Sequence, residues 1–341
     1  METKKLSHII KLLLILILLT TTLKTKSANA TETTIQPNPI NTTSTVGENF
    51  TITMTVINVT NLNAWQLHLT FNPQIINALE IWVPSENIFS PYSALLLYEI
   101  NNTEGTLRAF CALEGTFGVN GSGTLCQIKF QSKNPGITSI NIIKEVRIPY
   151  GTYLQDPDYN LIPYQAINGT VTIGGPNFQE YTFNITQNSR TYQIKILSNS
   201  TITSFNYNYA LKTMEYNASG TDGTTGLSSI ALSKELLNRT IAILINENTI
   251  PYNLFENQTH NFLTFSYTHS TKYVKILETI LGDVNGDRTA DMADISIMID
   301  AFMTSPGDQK WNQLADINKD NTVDMNDISM AIENFMRTWG P

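Results

Sequence analysis

One acidic segment occurs twice in the C-terminal part of the chain, and this duplication constrains the fold more than any other feature. The first copy begins at Asp283, and the second begins 33 residues later at Asp316. In both copies oxygen-bearing side chains stand at loop positions 1, 3, 5, 9 and 12, and a pattern of helical period follows. Oxygen atoms at this spacing suit a hard cation of the size of Ca²⁺, with the carbonyl of position 7 as a further ligand. The sequence therefore predicts two structural calcium ions, one in each loop.

The predicted ligands are of the same kind in both loops. The first loop would use Asp283, Asn285, Asp287, Thr289, Asp291 and Asp294. The second loop would use Asp316, Asn318, Asp320, Thr322, Asp324 and Asp327. The alternative is a solvated acidic surface on which Asp294 and Asp327 only cap the helices that follow. Agreement at five positions in two copies favours calcium.

Both loops depart from the usual calcium loop at position 6. Glycine is usual there because the chain turns sharply, but the two loops have Arg288 and Asn321. Asparagine tolerates a left-handed backbone, whereas arginine would be strained at positive φ. We therefore expect the first site to be the weaker or more distorted one. Position 12 is Asp in both copies, so the closing helix must approach the ion more closely than with the usual Glu.

The N-terminus has the three parts of a secretory signal peptide. Lys4 and Lys5 precede an apolar run at 12–19, and the small residues Ala28 and Ala30 follow. The sequence therefore predicts cleavage after Ala30 and a protein that is secreted or associated with the cell surface. An uncleaved anchor is the alternative, but the apolar run is short for a membrane span of about 20 residues. No other stretch is apolar enough to cross a bilayer.

The charge distribution argues against one class of partner. The net charge of the 341-residue chain is −8, and much of the acidity lies in the duplicated segment. Basic residues are not clustered, so we expect no nucleic acid partner.

The rest of the chain has the alternation of β-strands. Short runs of period 2 separated by Gly, Asn and Pro fill 46–173, and a similar pattern fills 177–278. Gly174, Gly175 and Pro176 mark a boundary between them. The predicted fold class is mainly β: two antiparallel β-sandwich domains followed by a small α-helical module with paired calcium loops. The predicted segments are 1–30 (signal peptide), 31–175 (first sandwich), 176–280 (second sandwich) and 281–341 (calcium module).

The two cysteines, Cys111 and Cys126, both have the alternation phase of inward-facing residues. In a secreted protein they form either an inter-sheet disulfide or two buried free thiols, and the sequence does not decide between these alternatives.

Eleven Asn-x-Ser/Thr sequons indicate a glycosylated extracellular protein. They are Asn41, Asn49, Asn58, Asn101, Asn120, Asn168, Asn184, Asn199, Asn217, Asn238 and Asn257.

Residues 281–341 resemble a dockerin, a paired calcium-loop module that binds cohesin domains in cellulosome-type assemblies. The resemblance implies that partner contacts lie at loop positions 10 and 11 and on the helix that follows. These positions are Met292, Ala293, Ser296, Met325, Asn326 and Ser329. Because Met recurs at position 10, we expect an apolar contact with the partner; the alternative is that these residues pack the two helices together.

Residues 35–175 resemble a cohesin, in a jelly-roll form of the sandwich. The resemblance rests on the runs 46–56, 65–75, 123–130 and 136–140, although sugar-binding sandwiches share similar patterns. The middle segment resembles β-sandwich repeats of secreted archaeal surface proteins, through motifs such as 220–226. Together the resemblances imply a non-catalytic assembly protein with cohesin-domain and dockerin-domain partners, and with head-to-tail self-association if the two ends of the chain recognise each other.

Two other functions are alternatives to assembly. A carbohydrate-binding protein would stack polysaccharide on exposed aromatic rings such as Trp82, Tyr92 and Tyr153. An enzyme would need a polar constellation, but the sequence places no Ser, Cys or metal-ligand pattern around His68, His260 or His269, and we expect them at the surface. The acids Glu80, Glu86, Glu104 and Glu114 are isolated on loops, where such groups are usually only solvated. We therefore expect no catalytic residue.

Overall fold

The computed structural model describes residues 32–144 and 151–340. The expected signal peptide and its cleavage site after Ala30 lie outside these residues. Among the helices that the structure describes, none is long and apolar enough to cross a membrane.

Residues 32–144 and 151–174 form two β-sheets that pack face to face. The strands are β1 (Thr34–Asn38), β2 (Asn41–Thr45), β3 (Asn49–Leu62), β4 (Ala64–Thr70), β5 (Ile76–Trp82), β6 (Ala94–Asn101), β7 (Thr106–Leu113), β8 (Val119–Ser132), β9 (Gly136–Ile142), β10 (Tyr153–Gln155), β11 (Leu161–Ile162), β12 (Gln165–Ala166) and β13 (Gly169–Gly174). One sheet has the order β12-β1-β3-β8-β5. The other has the order β11-β10-β4-β9-β13-β2, with β7 paired to β4 and β6 paired to β7.

Alternation places the core of this first sandwich between the sheets. In β3 the residues Ile52, Met54 and Val56 are buried, while the threonines between them are only partly covered. Trp65 of β4 is fully buried in the same core. The mainly β prediction is confirmed, but the pairing is not wholly antiparallel. Strand β1 pairs with β12 and strand β2 pairs with β13 in parallel.

The two cysteines lie in opposite sheets, on β7 and β8. Both Cys111 and Cys126 are buried, and both are free thiols in the structure, which is the second of the two alternatives and not the disulfide. Burial raises the pKa of Cys111 to about 12. Burial also raises the pKa of Cys126, and the neighbouring Cys111 adds to this increase. Both groups are therefore neutral at physiological pH and have little thiolate to react.

Residues 176–279 form a second sandwich. Its strands are β14 (Gln179–Gln187), β15 (Arg190–Ser198), β16 (Thr201–Asn208), β17 (Thr213–Ser219), β18 (Thr225–Ser233), β19 (Thr240–Ile245), β20 (Asn248–Thr249), β21 (Asn253–Glu256), β22 (His260–Thr268) and β23 (Lys272–Thr279). The sheet orders are β14-β15-β18-β22-β21 and β16-β17-β23-β19-β20, and neighbouring strands in both sheets are antiparallel. Its core is separate from that of the first sandwich and contains Met214, Tyr216 and Ile276.

The two sandwiches share an interface built on β9. Every residue of β9 is buried, because one face lies against the first core and the other lies against the second sandwich. Ile137 packs against Phe262, and its N–H donates to the Oγ of Ser229 at 2.9 Å. Ser139 accepts a hydrogen bond at 3.0 Å from Nδ2 of Asn257, which is buried.

This contact predicts which sequon stays unmodified. An N-linked glycan is attached to the side-chain nitrogen of Asn, and in Asn257 this nitrogen is covered by the first sandwich. We expect a glycan on exposed sequons such as Asn184 and Asn238 but none on Asn257. Mass spectrometry of peptides from the protein isolated from its native cells measures this occupancy. A glycan on Asn257 at the level found on Asn238 would contradict the closed interface.

The C-terminal module contains the helices α1 (Met292–Asp300) and α2 (Met325–Glu333). Its core includes Met298, Val323 and Ala331, so the helices pack through their inner faces. After each helix the chain pairs with the opposite loop. Met303 N–H donates to Val323 O at 2.8 Å, and Met336 N–H donates to Ala290 O at 2.7 Å. The two copies are therefore related by an internal pseudo-two-fold.

Candidate functional site

The start of each helix is built from the loop that precedes it. Asp291 is the N-cap of α1 and accepts a hydrogen bond from Ala293 N–H at 2.7 Å. Asp294 completes a capping box by accepting from Asp291 N–H at 2.9 Å. Asp324 and Asp327 repeat this arrangement at α2. The N-caps are thus at loop position 9, and the closing residues at position 12 lie inside the first turn.

The closing carboxylates also bind the beginning of their own loops. Asp294 is fully buried, and its Oδ1 accepts from Val284 N–H at 2.7 Å and from Asn285 N–H at 3.0 Å. Asp327 is equally buried and accepts from the corresponding N–H groups of the second loop at 2.8 and 3.1 Å. Each position-12 carboxylate therefore ties the helix to positions 2 and 3 of the loop.

The opening carboxylates are bound in the same way from within the loop. Asp283 accepts from Gly286 N–H and from Arg288 N–H, both at 2.8 Å. Burial raises the pKa of Asp283, and the nearby Asp294 adds to the increase. Burial and Asp327 raise the pKa of Asp316 in the second loop. Like-charged carboxylates are thus confined together away from water, where a divalent cation would offset their repulsion.

The intermediate positions complete the loop geometry. Asn285 Oδ1 accepts from Asp287 N–H at 2.8 Å, and Asp287 Oδ1 accepts from Thr289 N–H at 2.9 Å. The second loop repeats both bonds at 2.9 Å. All the offered groups are hard oxygen donors, so the residues fit calcium. Within residues 32–144 and 151–340, no three His, Cys, Asp or Glu side chains already converge as a metal centre. A complete ligand set also needs the amide oxygen of position 3 and the carbonyl of position 7.

Backbone strain was expected mainly in the first loop, at Arg288, but residues with positive φ occur in both loops. Position 6 has positive φ in both loops, +75° at Arg288 and +69° at Asn321. Position 4 also has positive φ, and there the first loop has Gly286 whereas the second has Lys319 at +61°. The second loop therefore contains two non-glycine residues in the left-handed region and the first contains one. The weaker first site was predicted from position 6 alone, without the strain at position 4. That the first site is the weaker one stays a prediction.

The outer faces of the two helices are apolar and exposed. Stripe 1 consists of Met292, Ser296, Ile299 and Met303, and stripe 2 consists of Met325, Ser329, Ile332 and Met336. Spacings of four and three residues place the first three members of each stripe on one helix face. Met303 and Met336 follow the ends of the helices and are 72% and 74% exposed. The exposed fraction is 61% for both Met292 and Ile299. It is 59% for Met325 and 58% for Ile332.

The stripes include some of the expected partner residues and extend beyond them. Ala293 and Asn326 are exposed beside the stripes. Residues that pack the two helices together would lie in the module core. The methionines at position 10 lie outside that core and are exposed. Ile299, Ile332 and the two final methionines were missed by the sequence analysis. Their spacing of seven and eleven residues from position 10 was the available signal.

The first sandwich has an open apolar face on its larger sheet. Leu95 and Leu97 of the edge strand β6 are each 57% exposed. Leu97 lies in register with Phe110 of β7, and this row continues through Gln66 of β4 to Tyr153 of β10. Gln66 itself is buried, and its Nε2 donates to Gly151 O at 2.7 Å. We call the other four residues, Leu95, Leu97, Phe110 and Tyr153, the open face.

The aromatic residues considered for carbohydrate binding are not brought together. Trp82 is on β5 and Tyr153 is on β10, which belong to different sheets. Tyr92 lies between β5 and β6, and its ring contacts Phe117 edge-on at 4.7 Å. These rings do not form one flat platform.

Histidine positions differ from the sequence expectation at one residue. His269 was expected at the surface without a nearby serine, but it is buried, with Nε2 2.7 Å from Ser200 Oγ and Nδ1 2.6 Å from Thr224 Oγ1. Ser200 is itself buried, so the pair is closed to solvent. The network joins the residue after β22 to the residues just before β16 and β18. His68 and His260 are half-buried. The acids considered for sugar hydrolysis are all exposed, namely Glu80, Glu86, Glu104 and Glu114.

Comparisons with known proteins identify both ends of the chain. Residues 21–173 match the family model of the Cohesin domain, and residues 281–336 match that of the Dockerin type I domain. No curated protein matches the chain.

Among solved structures, similar chains include three cohesins. A non-cellulosomal cohesin from the archaeon Archaeoglobus fulgidus is 18% identical, with a TM-score of 0.33, and the match covers 42% of this chain and 91% of that one. A type II cohesin domain from the cellulosome of Acetivibrio cellulolyticus is 20% identical, with a TM-score of 0.35 and coverages of 41% and 94%. A type I cohesin–dockerin complex from Clostridium thermocellum is 16% identical, with a TM-score of 0.34 and coverages of 42% and 99%.

Proposed function

We propose an extracellular, non-catalytic assembly role for this chain, which belongs to the modular proteins that carry a cohesin domain and a type I dockerin domain. Cohesin and dockerin domains bind each other, so the chain has one binding module of each kind. The observation that supports docking most directly is the pair of exposed apolar stripes on α1 and α2. Exposed apolar patches of this kind mark protein interaction sites.

Calcium would act as a structural ion in the dockerin domain. Two ions, one in each loop, would bind the side-chain oxygens at positions 1, 3, 5, 9 and 12 and the carbonyls of Thr289 and Thr322. The loop hydrogen bonds fix where each helix begins, and the helices in turn present the stripes. Metal binding would thereby set the geometry of the docking surface.

The open face of the cohesin domain is the surface that we propose for a dockerin. Leu95 and Leu97 supply exposed apolar area at a sheet edge, and Phe110 continues it inward. An apolar helix stripe and an apolar sheet face are complementary in chemistry. The chain would therefore offer stripes at one end and a receiving face at the other.

Self-association tests the simplest form of this proposal. If the dockerin domain of one copy binds the cohesin domain of the next, the copies join head to tail into rings or open chains. We expect the mass measured by light scattering to rise with protein concentration, at tens of micromolar chain in about millimolar calcium, and to return to that of the monomer in chelator.

The matched control changes the stripes and leaves the loops intact. A chain with Ile299→Asp and Ile332→Asp should stay monomeric in calcium, because both stripes then contain a charge. A wild-type chain that is monomeric in calcium at these concentrations would refute self-association. Docking to other proteins would then be tested by calcium-dependent capture of purified cohesin domains, such as that of Archaeoglobus fulgidus, on the immobilised chain.

A further inference from the structure

Arg288 belongs both to the first calcium loop and to the contact with the second sandwich. Its backbone is at loop position 6, with φ of +75°, and its N–H donates to Asp283 Oδ2 at 2.8 Å. This backbone conformation directs the N–H of Arg288 toward Asp283, the opening carboxylate of the loop. Residues other than Gly and Asn adopt this conformation rarely, because their Cβ makes it unfavourable, and contacts of the side chain can offset that cost.

The side chain of Arg288 supplies those contacts outside the loop. Its Nε donates to Glu278 O at 3.1 Å, and its Nη2 donates to Thr213 Oγ1 at 2.6 Å and to the carbonyl of Leu211. The guanidinium lies 4.3 Å from the ring centroid of Trp339, in the C-terminal segment. Arg288 therefore joins the calcium loop, the second sandwich and the chain end.

Other residues extend the same interface. Gly286 of the first loop lies against Leu244, close enough that an added Cβ would be 3.0 Å from Leu244 Cδ1. Leu314 packs with Leu244 and Leu277 of the sandwich. Arg239 Nη1 donates to Gly340 O at 2.9 Å. The first loop is thus built against the sandwich.

The equivalent residue of the second loop has no such role. Asn321 has the same loop position and a similar backbone, with φ of +69°, and its N–H donates to Asp316 Oδ2 at 3.0 Å. Its side chain is exposed. The internal repeat therefore provides a reference for what position 6 does when its side chain is exposed.

We propose that Arg288 couples calcium binding in the first loop to the seating of the dockerin domain on the second sandwich. The backbone of Arg288 bonds to Asp283 only when the loop is folded, and its side chain reaches Thr213 only when the domain is seated. Each event therefore favours the other, and by linkage the effect is reciprocal. The inference rests on calcium entering the first loop, which is part of the proposed function.

Hydrogen exchange of the full chain, followed by mass spectrometry over a range of free calcium, resolves the two loops. Peptides covering 283–294, 316–327 and 209–213 report the first loop, the second loop and the sandwich segment. In the wild type we expect segment 209–213 to gain protection at the same free calcium as the first loop. Arg288→Gly should raise the calcium midpoint of the first loop about tenfold and make segment 209–213 insensitive to calcium.

The control is Asn321→Gly, since glycine suits the positive φ at both positions and neither variant strains its loop. It should leave every midpoint within about twofold, below the usual range of coupling. Thr213→Val removes the acceptor on the sandwich side without touching the loop, and it should shift the first-loop midpoint in the same direction as Arg288→Gly by a smaller amount.

The outcomes separate the coupling from the proposed function. If neither wild-type loop gains protection at any calcium concentration, calcium binding and the coupling are both refuted. If the loops gain protection but Arg288→Gly behaves like Asn321→Gly, only the coupling is wrong. It is also wrong if Arg288→Gly raises the first-loop midpoint but segment 209–213 keeps its response to calcium, since the effect of Arg288 would then lie within the loop.

Discussion

Removal of calcium from the full chain is expected to unfold the dockerin domain and to leave both sandwiches folded. The domain core is small, and the helices α1 and α2 have nine residues each. Isolated helices shorter than about 12 residues are marginal in water, so packing and metal binding must stabilise them. Without the ion, the carboxylates of Asp283 and Asp294 are buried beside each other, and their charge opposes folding.

The magnitude follows from linkage. A site whose ion is present at about 1,000 times its dissociation constant stabilises the folded state by about 4 kcal/mol. Two such sites would account for most of the stability that a domain of this size has. Chelation should therefore lower the unfolding temperature of this domain by tens of degrees or abolish its transition.

Circular dichroism at the helical minimum isolates this event, because the described helices both belong to the dockerin domain. Adding chelator should remove the helical signal, and excess calcium should restore it. Scanning calorimetry of the same sample should show the transition of the sandwiches unchanged. A helical signal that survives chelation would show that the loops fold without metal.

The sequence predicted the strands of the first sandwich well where one physical rule dominates. In β3, alternating Ile52, Met54 and Val56 face the core because period-2 alternation and burial agree. The duplicated loops were predictable for a related reason, since their hydrogen bonds are local. Asp294, for example, bonds to N–H groups only nine and ten residues away.

Features that depend on distant parts of the chain could not be derived in this way. The parallel pairing of β2 with β13 joins residues more than a hundred positions apart, and alternation gives no information on strand direction. His269 meets Ser200 only because β16 and β22 converge. The contacts of Arg288 with the second sandwich are also long-range, so the sequence showed the strain at position 6 but not its compensation.

Replacing one stripe is expected to have little effect on docking, whereas replacing both should abolish it. The pseudo-two-fold relates stripe 1 to stripe 2, so either stripe presents the same chemistry to a partner once the domain turns over. Loss of one of two equivalent modes costs a factor of about two, well under 1 kcal/mol. Loss of both removes the apolar contact, and a buried Ile side chain contributes about 1.5–3 kcal/mol, or about 10- to 150-fold in affinity.

The variants are Ile299→Asp, Ile332→Asp and the double substitution in the full chain, with Glu333→Ala as a control outside the stripes. Ile299 and Ile332 are 61% and 58% exposed, so the domain should fold and bind calcium in all of them, which the helical signal checks. Binding is measured by sedimentation with the partner that the light-scattering or capture experiment identifies. If one single substitution removes binding as completely as the double, the two stripes are not equivalent. The second sandwich would then be the structural cause of the difference, because it lies beside the first loop and α1. Ile297 and Asp300 of α1 share a cavity with residues 249–251 of that sandwich.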